Sequence, residues 1–172
     1  LADPAFDAAD LERVRGVLDS GMLVQGANVA AFEGAIEELL GLEAVACSSG
    51  TAALHLALMA LGIGPDDEVV VPAFTWPSAA HTVVLVGARP VFVDIDPDTL
   101  NLDPARLVDA IGPATRAIVP IHQFGIPAPM AEVMDIARAR ELRVARHQRA
   151  RDGLRHVALE RRMPNSGALA QG

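Results

Sequence analysis

The chain has 172 residues, 51% of them hydrophobic and 21% charged, and a formal net charge of −8; this composition describes a globular domain and excludes an intrinsically disordered one. All 14 side chains in the Lys+Arg count are arginine, so chemistry that needs a lysine amine is excluded for this polypeptide. The single cysteine, Cys47, allows no internal disulfide, which fits a reducing, cytoplasmic setting.

In chain order, two amphipathic helices come first. Asp7 is placed to cap a segment in which Leu11, Val14, Val17 and Leu18 recur at helical spacing, and Asn28 to cap another carrying Val29, Phe32, Ile36, Leu39 and Leu40. Ser20-Gly21 and Gln25-Gly26 mark the loop between them. The first 20 residues include Asp3, Asp7, Asp10, Glu12 and Asp19, where a signal peptide would be basic and then apolar. No run approaches the roughly 18 apolar residues of a membrane span.

From Glu43 onward short apolar runs alternate with helical stretches. Strands are expected at Ala44 to Cys47, Val69 to Val71, Val91 to Val93, Ala117 to Ile121 and Leu142 to Ala145. Helices are expected near Ala52 to Leu61, Ser78 to Val86, Pro104 to Ile111 and Met130 to Arg140; the third has Asp103 as cap, Pro104 at its first position and Gly112 beyond its end. The helix from Ala52 is apolar nearly all round, so it and His55 within it read as buried, and Cys47 in its apolar run reads as a small buried hydrophobe. The expected fold class is α/β, a mainly parallel sheet covered by helices on both faces.

Four places could carry chemistry. Ala44 through Leu54 reads as strand, small polar turn and buried helix; at such a turn free N–H groups and the helix dipole converge, Gly50 permits close approach, and Ser49 and Thr51 add hydroxyls. The same Ser-Gly-Thr also serves as ordinary capping. Trp76, the only tryptophan, follows the end of the strand at Val71, where ligands of open α/β sheets bind; it can stack on a planar ring or pack beneath a loop. Asp94 and Asp96 form a D-x-D that suits either a metal-dependent nucleotide-sugar transferase or a simple turn. His122, at another strand end, is a stronger candidate than His55 or His81, and a bond to nearby backbone accounts for it equally well.

Taken in order, these segments resemble one family, the DegT/DnrJ/EryC1/StrS sugar aminotransferases, which use pyridoxal phosphate (PLP) and have fold type I. The resemblance rests on Gln25-Gly26 with Phe32-Glu33, Ser48 through Leu58, Gly64 through Pro72, Phe74-Thr75-Trp76, Gly87 through Asp96, Ala117 through His122, and Gly125. It covers residues 1–144 and implies the N-terminal part of the large domain, incomplete in this chain. It further implies that Gly50, Thr51 and Ala52 hold the cofactor phosphate and Trp76 stacks on its ring, with Ser49 and His122 as active-site neighbours, and that Asp94-Ile95-Asp96 is a strand-end turn with no metal. The implied activity transfers an amino group from an amino acid such as glutamate to a nucleotide-linked keto sugar, in a cytoplasmic homodimer that engages neither nucleic acid nor membrane.

Where the family has a Glu-Asp pair, whose Asp meets the pyridinium nitrogen, this chain has Arg146 and His147. The family's cofactor-bonding lysine has no counterpart. Residues 145–172 do not resemble the family: residues 1–137 hold 19 carboxylates and 5 arginines, while residues 138–172 hold 3 and 9. An Arg-rich, out-of-frame or disordered tail is the expectation for 145–172, and an inactive chain, or a non-catalytic binder of PLP or another phosphate ligand, is the expectation for function.

Overall fold

The computed structural model describes residues 6–149 and 155–160, which divide into two compact units between Ser48 and Ser49.

In the first unit, α1 (Ala8–Ser20) opens on a reciprocal capping box: Asp10 N–H donates to the Asp7 carboxylate at 2.9 Å, and Asp7 N–H donates to the Asp10 carboxylate at 3.2 Å. Helix α2 (Ala27–Leu40) is capped by Gly26 and not by Asn28, which lies within its first turn; the cap must have extended backbone, and Gly26 is the residue that has it. Both apolar stripes form as expected, yet no residue of either helix is buried.

The strand expected at Ala44 to Cys47 does not form. Two carboxylates one helical turn apart on α2 take its backbone donors instead: Ala44 N–H donates to Glu37 at 3.0 Å and Ala46 N–H to Glu33 at 2.7 Å. These bonds occupy the donors on one side of the segment. With no strand there, Cys47, expected to be buried, is exposed.

The second unit is a three-layer α/β structure. Helix α3 (Gly50–Ala60) leads into β1 (Glu68–Pro72), α4 (Ser78–Leu85), β2 (Arg89–Val93), α5 (Pro104–Ala110), β3 (Thr115–Ile118), β4 (Ile121–His122), α6 (Met130–Ala139), β5 (Arg143–Arg149) and β6 (Arg155–Glu160). Strands β2, β1, β3 and β5 lie side by side and parallel. The expected strand from Ala117 to Ile121 is split: Ala117 and Ile118 pair with Arg143 and Val144, and Ile121 and His122 pair with His147 and Gln148 at the same offset. β3 and β4 are thus one line interrupted near Pro120, which has no N–H to give but whose carbonyl accepts the N–H of His147 at 3.1 Å. β5 runs beyond its expected end, and β6, which the sequence did not suggest, pairs with it antiparallel.

Alternation along the central strands divides the core. Val69, Val71, Ala117, Val119 and Ala145 face α3 and α4 with Leu54, Leu58 and Val83. Val70, Ile118 and Val144 face α5 and α6 with Leu107, Val133 and Ala137. Covered on both sides, β1 is buried throughout, which is why its run of valines shows no polar alternation. β2 at the sheet edge is less enclosed, and Phe92 is exposed. Helix α3 buries one side only, through Leu54, Ala57 and Leu58; Leu56 and Met59 are exposed and His55 is half-buried, so the expectation of burial all round does not hold. The turn from α4 to β2 needs its glycine: Gly87 has φ +82, and a Cβ there would meet Pro65 at 3.2 Å.

Candidate active site at the sheet edge

Helix α3 packs on the sheet and returns through residues 61–67 to the start of β1. Its N-terminus therefore lies at the edge where the parallel strands end, the edge that also carries the loops after β1, β2 and β4.

The phosphate candidate is the first turn of α3. Its ladder begins with Ala53 N–H donating to the Ser49 carbonyl at 3.0 Å, so the N–H groups of Gly50, Thr51 and Ala52 lie ahead of the helical ladder. Ser49, the N-cap, takes one of them: Ala52 N–H donates to its hydroxyl at 3.1 Å. Gly50 and Thr51 N–H, the exposed Thr51 hydroxyl and the positive end of the helix dipole make a donor set suited to a dianion.

Trp76 stands in the turn between β1 and α4 and is 67% exposed, so packing beneath a loop does not account for it and its ring is open to a planar partner. Phe74, two residues earlier, meets Phe124 with centroids 6.3 Å apart and planes at 56°. Thr75 donates its hydroxyl to Gln123 Oε1 at 3.4 Å. His122 is buried and its Nδ1 accepts the N–H of Ala128 at 2.8 Å, which fixes the ring to the loop before α6 and leaves Nε2 as the proton-bearing nitrogen.

Asp94 and Asp96 organise a turn. Asp94 accepts the N–H of Ile95 at 2.9 Å, and Asp96 accepts those of Asp98 at 2.7 Å and Thr99 at 3.1 Å. Among the described residues no three His, Cys, Asp or Glu side chains cluster as a metal site would require. Arg146 and His147 lie in β5, His147 opposite Ile121 and buried, Arg146 half-buried. Sequence reasoning missed Asn101 and Gln123, both buried at this edge; only the later contact between their loops singles them out.

The chain is 37% identical to DesV of S. venezuelae, solved in complex with a ketimine intermediate, with a TM-score of 0.74 over 80% of this chain and 40% of that one. An aminotransferase from Psychrobacter cryohalolentis is 34% identical, with a TM-score of 0.80 over 85% of this chain and 38% of the other. NtdA from Bacillus subtilis, solved with bound cofactor PMP, is 34% identical, with a TM-score of 0.76 over 79% and 32%. The chain thus spans two fifths or less of the length of each of these structures, and its sheet is the mostly parallel one of their PLP-dependent, fold type I architecture. Residues 4–147 match the DegT/DnrJ/EryC1/StrS aminotransferase family, and by that match, together with the likeness of its fold, the chain belongs to this family.

Proposed function

We propose that this chain carries the phosphate-holding and ring-stacking part of a PLP-dependent sugar aminotransferase site and does not transaminate by itself. One juxtaposition carries the reading: the first turn of α3 and the Trp76 turn open on the same edge of the sheet. Gly50 and Thr51 N–H with the Thr51 hydroxyl would hold the phosphate, Ser49 would keep the turn capped, and Trp76 would lie against the ring.

The group fits these residues at its phosphate end and not at its reactive end. The 172 residues include no lysine, and the family's mechanism moves its proton through one. At the positions of the family's Glu-Asp pair, neither Arg146 nor a neutral His147 supplies the negative charge that keeps a pyridine nitrogen protonated. The residues present therefore bind and orient, and they supply neither the base nor the counter-charge that transamination needs. For a longer relative with both groups, the same reading gives an amino acid such as glutamate as donor, a nucleotide-linked keto sugar as acceptor, and a cytoplasmic homodimer. Exposed Leu56, Met59, Val84 and Leu85 on α3 and α4 are apolar surface that a dimer contact would cover.

We also place the boundary of the family region at residue 144 and read 145–172 as a segment translated out of frame. The rise in arginine supports this, and the family match ends three residues beyond that boundary, at residue 147. Translating the gene beyond codon 144 in the other two frames checks it: a Glu-Asp pair followed later by a lysine is the expected result, and its absence from both frames overturns it.

The functional reading is tested with the purified chain and PLP. Saturable quenching of Trp76 by PLP that reverses on dialysis, with no amino transfer from glutamate, is expected. Amino transfer above the protein-free blank would overturn the claim of inactivity, and no saturable PLP binding would overturn the site.

A further inference from the structure

One buried amide ties together the loops around Trp76. Asn101, 1% exposed, donates its Nδ2 to the carbonyls of Ile126 and Pro127, each at 3.3 Å, and accepts the N–H of Gln123 on Oδ1 at 3.0 Å. Only this orientation of the carboxamide gives both ends suitable partners. Asn101 is itself held: its carbonyl accepts the N–H of Asp96 at 2.9 Å, and the next residue, Leu102, is fully buried in the core. The Asn101 bonds flank Phe124, whose φ of 52 is disfavoured for a residue with a Cβ.

Gln123 carries the constraint onward. Its backbone is fixed by Asn101, and its Oε1 accepts the hydroxyl of Thr75, the residue directly before Trp76. Trp76 is too exposed to be oriented by packing of its own. The turn that bears it is instead held by the Thr75 bond, by the contact of Phe74 with Phe124 and by Ala79 N–H donating to the Trp76 carbonyl at 3.4 Å, and of these only the first two reach across from another loop.

We infer that Gln123, held by Asn101, is a positioning residue: through Thr75 it sets the orientation of Trp76 before a planar ligand arrives, so that the loop after β2 controls the ring shelf after β1. The inference rests on the reading of Trp76 as the ring-stacking residue. Preorganisation of this kind favours binding because the entropy of ordering the turn is already lost in the free protein.

Trp76 is the only tryptophan of the chain, so its fluorescence reports on this turn alone. Anisotropy decay of the full chain is compared for the wild type, Thr75→Val, Thr75→Ser and Gln123→Ala, followed by quenching with PLP. Thr75→Val and Gln123→Ala are expected to increase the fast local motion of Trp76 and to raise the PLP concentration for half-quenching by about threefold to tenfold, the factor one net hydrogen bond carries. Thr75→Ser keeps the hydroxyl and should behave as wild type in both measurements. Unchanged anisotropy in both Thr75→Val and Gln123→Ala would overturn the inference, as would a Thr75→Ser that behaves like Thr75→Val. If wild type is not quenched by PLP while the anisotropy changes appear, the cofactor reading fails and the positioning role of Gln123 stands.

Discussion

Ala52 donates its backbone N–H to the Ser49 hydroxyl at 3.1 Å, and this one bond distinguishes the N–H that caps the first turn of α3 from the two that precede it. The capped N–H stabilises the helix; those of Gly50 and Thr51 remain ahead of the ladder. Ser49→Ala removes the cap, and chemical denaturation should show a loss of about 1 kcal/mol, the usual cost of that substitution.

Thr51→Val keeps shape and branching and deletes only the hydroxyl. Bonds to charged groups are worth more than neutral ones, so PLP affinity, read by quenching of Trp76, should fall by about tenfold or more. Pyridoxal, which has no phosphate, should respond little to the same substitution. An equal loss for both ligands would place the phosphate elsewhere.

Trp76→Ala removes a side chain that is 67% exposed, so the melting midpoint should change little. PLP affinity, followed by calorimetry since the fluorophore is gone, should weaken by about twofold to tenfold, in line with the energy of one stacked pair. Trp76→Phe should recover much of it.

Leu58 is fully buried beneath α3, against the sheet. Leu58→Ala should cost about 2–5 kcal/mol in urea denaturation because the cavity left behind cannot fully collapse. A loss below about 1 kcal/mol would mean that α3 is not seated on the sheet as described.

At the opposite edge of the sheet, buried Glu68 pairs with Arg89 and accepts the hydroxyl of Thr115 at 3.3 Å. Glu68→Ala leaves the Thr115 hydroxyl without its acceptor, and a destabilisation of about 1–3 kcal/mol is expected. PLP quenching in the folded fraction should be unchanged, since this pair lies at the edge away from Trp76.

Most strands and helices of the second unit were legible in the sequence because their apolar runs are long enough to demand burial and their starts are marked, as by Asp103-Pro104. Ala44 to Cys47 shows the limit of that logic. Its apolar run reads as a strand, but pairing depends on which partners meet the backbone, and here Glu33 and Glu37 accept the N–H groups of Ala46 and Ala44. The offset that makes β3 and β4 one line, and the pairing of β6 with β5, are likewise properties of register that no local pattern encodes.

Thr51 and Trp76 could be singled out as candidates because Trp76 follows the strand signal at Val71 and Thr51 opens an apolar helix after a small polar turn, although the strand read before that turn does not form. Asn101, Gln123 and Thr75 could not: they are bonded across 22 and 48 positions of chain, and each alone reads as an ordinary polar residue in a turn. The sequence by itself determined the absence of a lysine amine, since composition is independent of conformation. Only the tertiary structure decided that Asn101, Gln123 and Thr75 bond to one another beside Trp76, because hydrogen bonds between distant loops exist only once the sheet has brought their ends to one edge.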